Sequence, residues 1–232
     1  MTNKERIKKL RDNAELAMAA YGYYDLMTNS DNQLFIEIQN KKNEDFIKKD
    51  ITLIDIMDNT FADYKVYKPQ LSPKFKPDKV GILKGDMTPT QAQRFFSRYD
   101  LLIHQPNTES GFSATLFQNK ETKEYTLAIR GTEFNLEQIK DLINDYYIGT
   151  NNDDLDKVIE QYFDMLIFYE ETLKPLLQEK GITKINITGH SLGGYLAQRA
   201  LIYCDSLYKD KLKFSPSEVY TFNASLESRS VA

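Results

Sequence analysis

Six consecutive residues carry the clearest chemical signal in the sequence: Gly189-His190-Ser191-Leu192-Gly193-Gly194. They contain the pattern G-x-S-x-G, in which a serine occupies a strand-to-helix turn too tight for bulky neighbours. Such a turn exposes the serine hydroxyl for attack on an acyl carbon, and the first amide of the helix faces the resulting oxyanion. The pattern arises by chance only about 0.02–0.03 times in a chain of this length. We therefore predict Ser191 as a nucleophile and the amide of Leu192 as an oxyanion donor.

The surrounding sequence predicts the elements that would hold this turn. Alternating apolar residues and a polar connection favour a β-hairpin, apolar residues at helical spacing favour helices, and Gly181 is placed to end a long helix. From residue 111 onward the predicted elements are strands 111–118 and 124–130, helices 136–143 and 155–180, strand 184–188, helix 192–208 and strand 218–223. This order predicts an α/β fold with a mostly parallel sheet and helices on its faces.

A second group of residues follows the strand that ends at Arg130. Arg130-Gly131-Thr132 stands where a neighbouring strand end would supply a second oxyanion amide, and Asp141 lies nine residues further on. Thr132 would donate its backbone N–H, and Asp141 would hold its side chain by accepting the hydroxyl proton. On spacing alone an alternative stays open, in which Arg-Gly-Thr is a turn and Asp141 a solvated carboxylate.

Together, GHSLGG, the upstream AIRGTE and the helix carrying Asp141 resemble the class 3 (fungal-type) lipase family over residues 111–224. The resemblance implies an α/β-hydrolase fold. It also implies hydrolysis of carboxylic esters of lipids by a Ser-Asp-His triad, without a cofactor or a metal. In that family the positions of Thr132 and Asp141 supply an oxyanion amide and the acid that orients it. A lipid or other ester substrate is the partner it implies.

The histidine of such a triad is the departure from the pattern. In α/β-hydrolases the order along the chain is Ser, acid, His, but the two histidines of this sequence, His104 and His190, both precede Ser191. His190 adjoins the serine and should point away from it. We assign His104 a loop or structural role; it could serve as the base only if the topology broke the order of the family. The sequence ends in the polar segment FNASLESRSVA. Our hypothesis is that the 232 residues together are the N-terminal portion of a longer hydrolase.

Residues 1–110 are predicted to form a separate helical and irregular region, with 111–232 as the hydrolase core. Thr2 and Glu5 form a capping box ahead of a helix over 3–26, and Thr88-Pro89-Thr90-Gln91 begins another that ends near Tyr99. A short helix near 50–59, a hairpin or loop over 28–49 and an irregular stretch over 65–86 complete the region. Its segment 60–110, with Phe75, Phe95 and Phe96, is a candidate lid.

Composition narrows the function classes. The 30 Lys and Arg against 34 Asp and Glu give a net charge of -4, so nucleic acid is not an expected partner. One cysteine excludes a disulfide framework. The N-terminus lacks the apolar core of a signal peptide, which favours the cytoplasm and leaves signal-less export open. The lysines of 65–84 have two interpretations, a solvated face or contact with a membrane surface.

Three hypotheses of function follow. The first is a serine ester hydrolase of the lipase or phospholipase type, inactive in this chain if no histidine completes it. The second is a degenerate hydrolase that binds a lipid or a protein. The third is an exported phospholipase that damages membranes.

Overall fold

The computed structural model describes residues 1–39, 45–70, 76–131, 153–207 and 215–224. The chain divides into two compact units, one made of residues 1–20 and 100–232, the other of residues 21–99. None of the described helices is both long and apolar enough to cross a membrane.

The first unit is built on a five-stranded sheet in the order β5-β6-β7-β8-β9. Its strands are β5 (Tyr99–Gln105), β6 (Ala114–Asn119), β7 (Tyr125–Ile129), β8 (Lys184–His190) and β9 (Ser215–Phe222). The β6–β7 pair is an antiparallel hairpin, and β7, β8 and β9 run parallel. The predicted hairpin, the mostly parallel sheet and those helices between its strands that the structure describes are confirmed.

Helices cover both faces of this sheet. One face packs on α4 (Asp153–Phe168), a π-helical turn (Tyr169–Leu173), α5 (Lys174–Glu179) and α6 (Leu192–Leu207) through a continuous apolar core. The other face packs on α1 (Asn3–Ala19), which contacts β7, β8 and β9. Alternation along each strand separates the two faces, so Ile187 points into the apolar core while Thr188 points towards α1.

Local signals explain where these helices begin and end. Thr2 and Glu5 form the predicted capping box of α1, but the helix ends at Ala19 rather than near residue 26. Gly181 has a φ of +64°, the left-handed conformation expected of a residue that ends a helix. The predicted helix over 136–143 lies outside the described residues.

The second unit differs from the prediction of a helical and irregular region. It contains an antiparallel sheet in the order β2-β1-β3-β4, formed by β1 (Phe35–Gln39), β2 (Phe46–Asp50), β3 (Lys65–Lys68) and β4 (Asp78–Ile82). The irregular stretch expected over 65–86 was therefore wrong. Helices α2 (Leu53–Met57) and α3 (Pro89–Arg98) occur near their predicted positions, and α3 begins with the predicted Thr88 cap.

The division near residue 110 also differs from the one observed. Helix α1 and strand β5 belong to the unit of the five-stranded sheet. Helix α1 buries Asn13, Leu16 and Ala17 and contacts that sheet directly. Phe95 and Phe96 of the candidate lid are buried within the second unit, where their rings pack edge to face. A lid role for 60–110 stays a prediction, and Phe75 lies outside the described residues.

Candidate active site

Ser191 occupies the one-residue turn between β8 and α6, within the segment 189–194 that we call the elbow. Its φ of +56° is a left-handed conformation that costs a non-glycine residue roughly 1–2 kcal/mol. Hydrogen bonds on both sides hold that conformation. The Ser191 amide donates to the Phe222 carbonyl at 2.9 Å, and the Ser191 carbonyl accepts from the amides of Gly194 at 3.0 Å and Tyr195 at 3.2 Å. The strained backbone expected of a nucleophile turn is thus present.

The glycines of the elbow are required by close backbone packing. A Cβ on Gly189 would overlap the backbone of Gly193, and one on Gly193 would overlap the carbonyl oxygen of Ile129. A Cβ on Gly194 would stand 2.6 Å from the Cβ of Ala224. Contacts below 3.0 Å require neighbouring atoms to move, and at Gly189 and Gly193 those neighbours are backbone atoms. The three glycines of the elbow therefore allow α6 to approach the ends of β7 and β9 closely.

The oxyanion side of the site is described in part. Leu192 is buried and is the first residue of α6, where backbone amides have no acceptor within the helix and the helix dipole is positive. This is the position that the sequence predicted for one oxyanion donor. The other predicted residues, Thr132 and Asp141, lie outside the described residues, so their roles stay predictions.

The sequence analysis named Arg130 as part of the Arg-Gly-Thr group but missed the contacts by which it fixes the end of β7. Arg130 is buried, its amide donates to the Ser113 carbonyl at 3.0 Å, and its guanidinium donates to Asn107 Oδ1 at 3.0 Å. The Arg130 carbonyl carbon also lies 2.7 Å from the position of a Cβ on Gly193. Arg130 thus ties the loop before β6 to the strand end beside the elbow. An arginine directly after an apolar strand was the available signal in the sequence.

His104 lies far from Ser191 across the sheet. It is in β5, not in a loop, and its Nδ1 is 2.8 Å from the hydroxyl oxygen of Thr115 in β6. Three strand spacings separate β5 from β8, which amounts to about 14 Å. A general base must lie within about 3 Å of the proton it takes. His104 therefore pairs with Thr115 between two strands, which fits the structural role predicted for it from the sequence and not the loop position.

His190 ends β8 and precedes the nucleophile directly. Alternation along the strand places it on the face of Thr188, which is the face that packs on α1. Burial lowers the pKa of its imidazole below the ordinary value. Its side chain is therefore directed by the strand away from the apolar core under the elbow.

A sheet whose strands β7, β8 and β9 are parallel, helices on both faces and a strained serine between β8 and α6 together define the α/β-hydrolase fold. Residues 126–225 match the lipase (class 3) family, so the resemblance to that family is confirmed over this segment. None of the curated protein sequences matches the chain.

Solved structures agree with this fold. The chain is similar to the lipase from Rhizopus microsporus var. chinensis, with a TM-score of 0.53 and 16% identity over 96% of this chain. It is also similar to lipase II from Rhizopus niveus, with a TM-score of 0.52 and 15% identity over 96% of this chain. The chain spans 59% and 64% of the length of those two lipases.

Proposed function

We propose that this chain supplies the nucleophile and one oxyanion donor of a serine ester hydrolase acting on acyl lipids. The observation that carries the proposal is the left-handed Ser191 at the junction of β8 and α6. Strain of this kind persists only where surrounding structure enforces it, and here Phe222, Gly194 and Tyr195 do so through hydrogen bonds. The match to class 3 lipases over 126–225 supports a lipid ester as the substrate class.

In the proposed reaction, Ser191 Oγ attacks the acyl carbon while a base takes the hydroxyl proton. The carbonyl oxygen becomes an oxyanion, which accepts a hydrogen bond from the Leu192 amide and, by the family resemblance, from Thr132. Collapse of this intermediate expels the alcohol with a proton from the base, and water then releases the acid by the same steps.

The base must come from somewhere other than the two histidines of this sequence. His104 is about three strand spacings away, and His190 lies on the opposite face of its strand from the apolar core. We therefore propose that neither histidine of this sequence is the base. A positioned base contributes about 10²–10⁴-fold to the rate, so this chain alone should react slowly.

The test uses an alkyl fluorophosphonate and the intact mass of the protein, with and without free imidazole as an external base. Ser191 Oγ forms a bond to phosphorus, fluoride leaves, and the hydroxyl proton passes to imidazole. We expect slow formation of a single adduct, accelerated at least about tenfold by imidazole and absent from Ser191→Ala. His104→Gln should label like the parent chain.

Two results would contradict the proposal. One is a folded chain that gains no adduct even with imidazole, and the other is equal labelling of Ser191→Ala. Fast labelling without imidazole that His104→Gln abolishes would keep Ser191 as the nucleophile but overturn the assignment of the base.

A further inference from the structure

Helix α1 carries an apolar stripe on the side that does not face the sheet. Ile7, Leu10 and Met18 are 67%, 50% and 42% exposed, and with Ala14 they repeat at the spacing of one helix face. The opposite side of the same helix is buried through Asn13, Leu16 and Ala17. The stripe is thus additional to the apolar residues that attach α1 to the unit.

Cations border this stripe. A helix turns 100° per residue, which places Lys4, Lys8 and Arg11 along one side of the stripe and Arg6 along the other. Lys4, Arg6 and Lys8 are exposed. Three acids also lie on α1. The carboxylate of Glu5 accepts a hydrogen bond from the Thr2 amide at 2.6 Å in the capping box, and that of Asp12 is paired with Arg11 at 2.9 Å. The same rotation places Glu15 on the side of Lys8 and Arg11. Four cations thus border the stripe against one acid, Glu15, and an exposed apolar face beside a basic side is the pattern of a helix that lies in the surface of an anionic bilayer.

A second exposed apolar stripe, on α4, differs from the first in the charge of its neighbours. On α4, Ile159, Phe163 and Ile167 are 43%, 55% and 53% exposed. Glu160, an exposed acid, lies beside Phe163 and Ile167 on the helix surface. An anionic lipid surface would repel this stripe and attract the one on α1.

We propose that the outer face of α1, formed by Ile7, Leu10, Ala14 and Met18 with Lys4, Arg6, Lys8 and Arg11, binds an anionic phospholipid surface. The helix lies parallel to the bilayer, its apolar stripe enters the boundary between headgroups and acyl chains, and its cations contact lipid phosphates. The inference rests on the proposed function only in that a lipid ester would be found at such a surface. The binding itself does not require a reactive Ser191.

The test is flotation of the full chain with vesicles of phosphatidylcholine alone or with phosphatidylglycerol added. We expect binding to the anionic vesicles that Ile7→Gln/Leu10→Gln reduces at least tenfold. The matched control, Ile159→Gln/Phe163→Gln, removes an exposed pair from α4 and should leave binding unchanged. Lys4→Gln/Lys8→Gln should weaken binding roughly 25-fold, since each cation near such a surface contributes about fivefold. Far-ultraviolet circular dichroism checks that each variant is folded.

Three outcomes would overturn the inference. The first is that the parent chain does not bind anionic vesicles. The second is that the α4 control loses as much vesicle binding as Ile7→Gln/Leu10→Gln. The third is that the parent chain is a dimer which Ile7→Gln/Leu10→Gln converts to a monomer, because this face would then be a protein interface. Failure here and failure of the proposed function are distinguishable. Vesicle binding without any Ser191 adduct removes only the proposed function, and an adduct without vesicle binding removes only this inference.

Discussion

The Ser191 amide donates a hydrogen bond to the Phe222 carbonyl at 2.9 Å, so the nucleophile turn after β8 is held by the end of β9. Gly193 makes the corresponding approach on the other side, against Ile129 at the end of β7. The elbow is therefore clamped between two strand ends. Its geometry depends on backbone atoms from three parallel strands, and substitutions there should affect folding as well as chemistry.

Gly193→Ala should cost about 3 kcal/mol or more in the free energy of unfolding, because a Cβ there meets backbone rather than a movable side chain. Urea denaturation measures this cost. The matched control is Gly181→Ala, where no atom lies within 4 Å and only the φ of +64° opposes a side chain. That control should cost about 1 kcal/mol. Equal costs for the two variants would mean that α6 does not approach β7 as described.

Replacing Ser191 should reveal the strain stored in its backbone. Both Ser191→Ala and Ser191→Gly remove the hydroxyl, but only glycine tolerates a φ of +56° without a steric penalty. We expect the glycine variant to be more stable than the alanine variant by about 1 kcal/mol, measured by thermal denaturation.

The control for this comparison is Ser97, an exposed residue within α3. There the order should reverse, with Ser97→Gly less stable than Ser97→Ala by about 0.5 kcal/mol, because glycine loses more backbone entropy than alanine in the last turn of a helix. If alanine were the more stable replacement at both positions, Ser191 would not be strained.

The elbow and the hairpin were predictable because their signals are local. A glycine pattern and an alternating strand each indicate their conformation within a few residues. Strands β3 and β4 were missed because lysines and prolines surround them and their burial is partial, so alternation is faint. Strand β5 was missed since its apolar residues directly follow a helix. The position of α1 on the sheet depends on contacts distant in sequence, such as Thr188 with Asn13, which no local pattern contains.

That contact gives a test of how α1 is attached. Thr188 is fully buried and its hydroxyl donates to the Asn13 carbonyl at 3.1 Å. Thr188→Val keeps the shape of the side chain but removes the donor, so the free energy of unfolding should fall by about 1 kcal/mol. Urea denaturation at neutral pH measures it. An unchanged midpoint and slope would show that this hydrogen bond does not stabilise the docked helix.

His190 should make the stability of the chain depend on pH. Burial lowers the pKa of its imidazole below 6.5 in the folded state. At pH values between the folded and the unfolded pKa, the unfolded state binds more protons than the folded state. The contribution of His190 to the free energy of unfolding is therefore complete above about pH 6.5 and is lost as the pH falls from the unfolded pKa to the folded pKa. His190→Gln cannot take up this proton. The loss of unfolding free energy between about pH 7.5 and about pH 5.5 should therefore be larger for the parent chain than for the variant.

Asp55 and Glu218, whose pKa values are also lowered, act at more acidic pH and are present in both proteins. The same loss in the two proteins would mean that His190 titrates normally and is not desolvated by the fold.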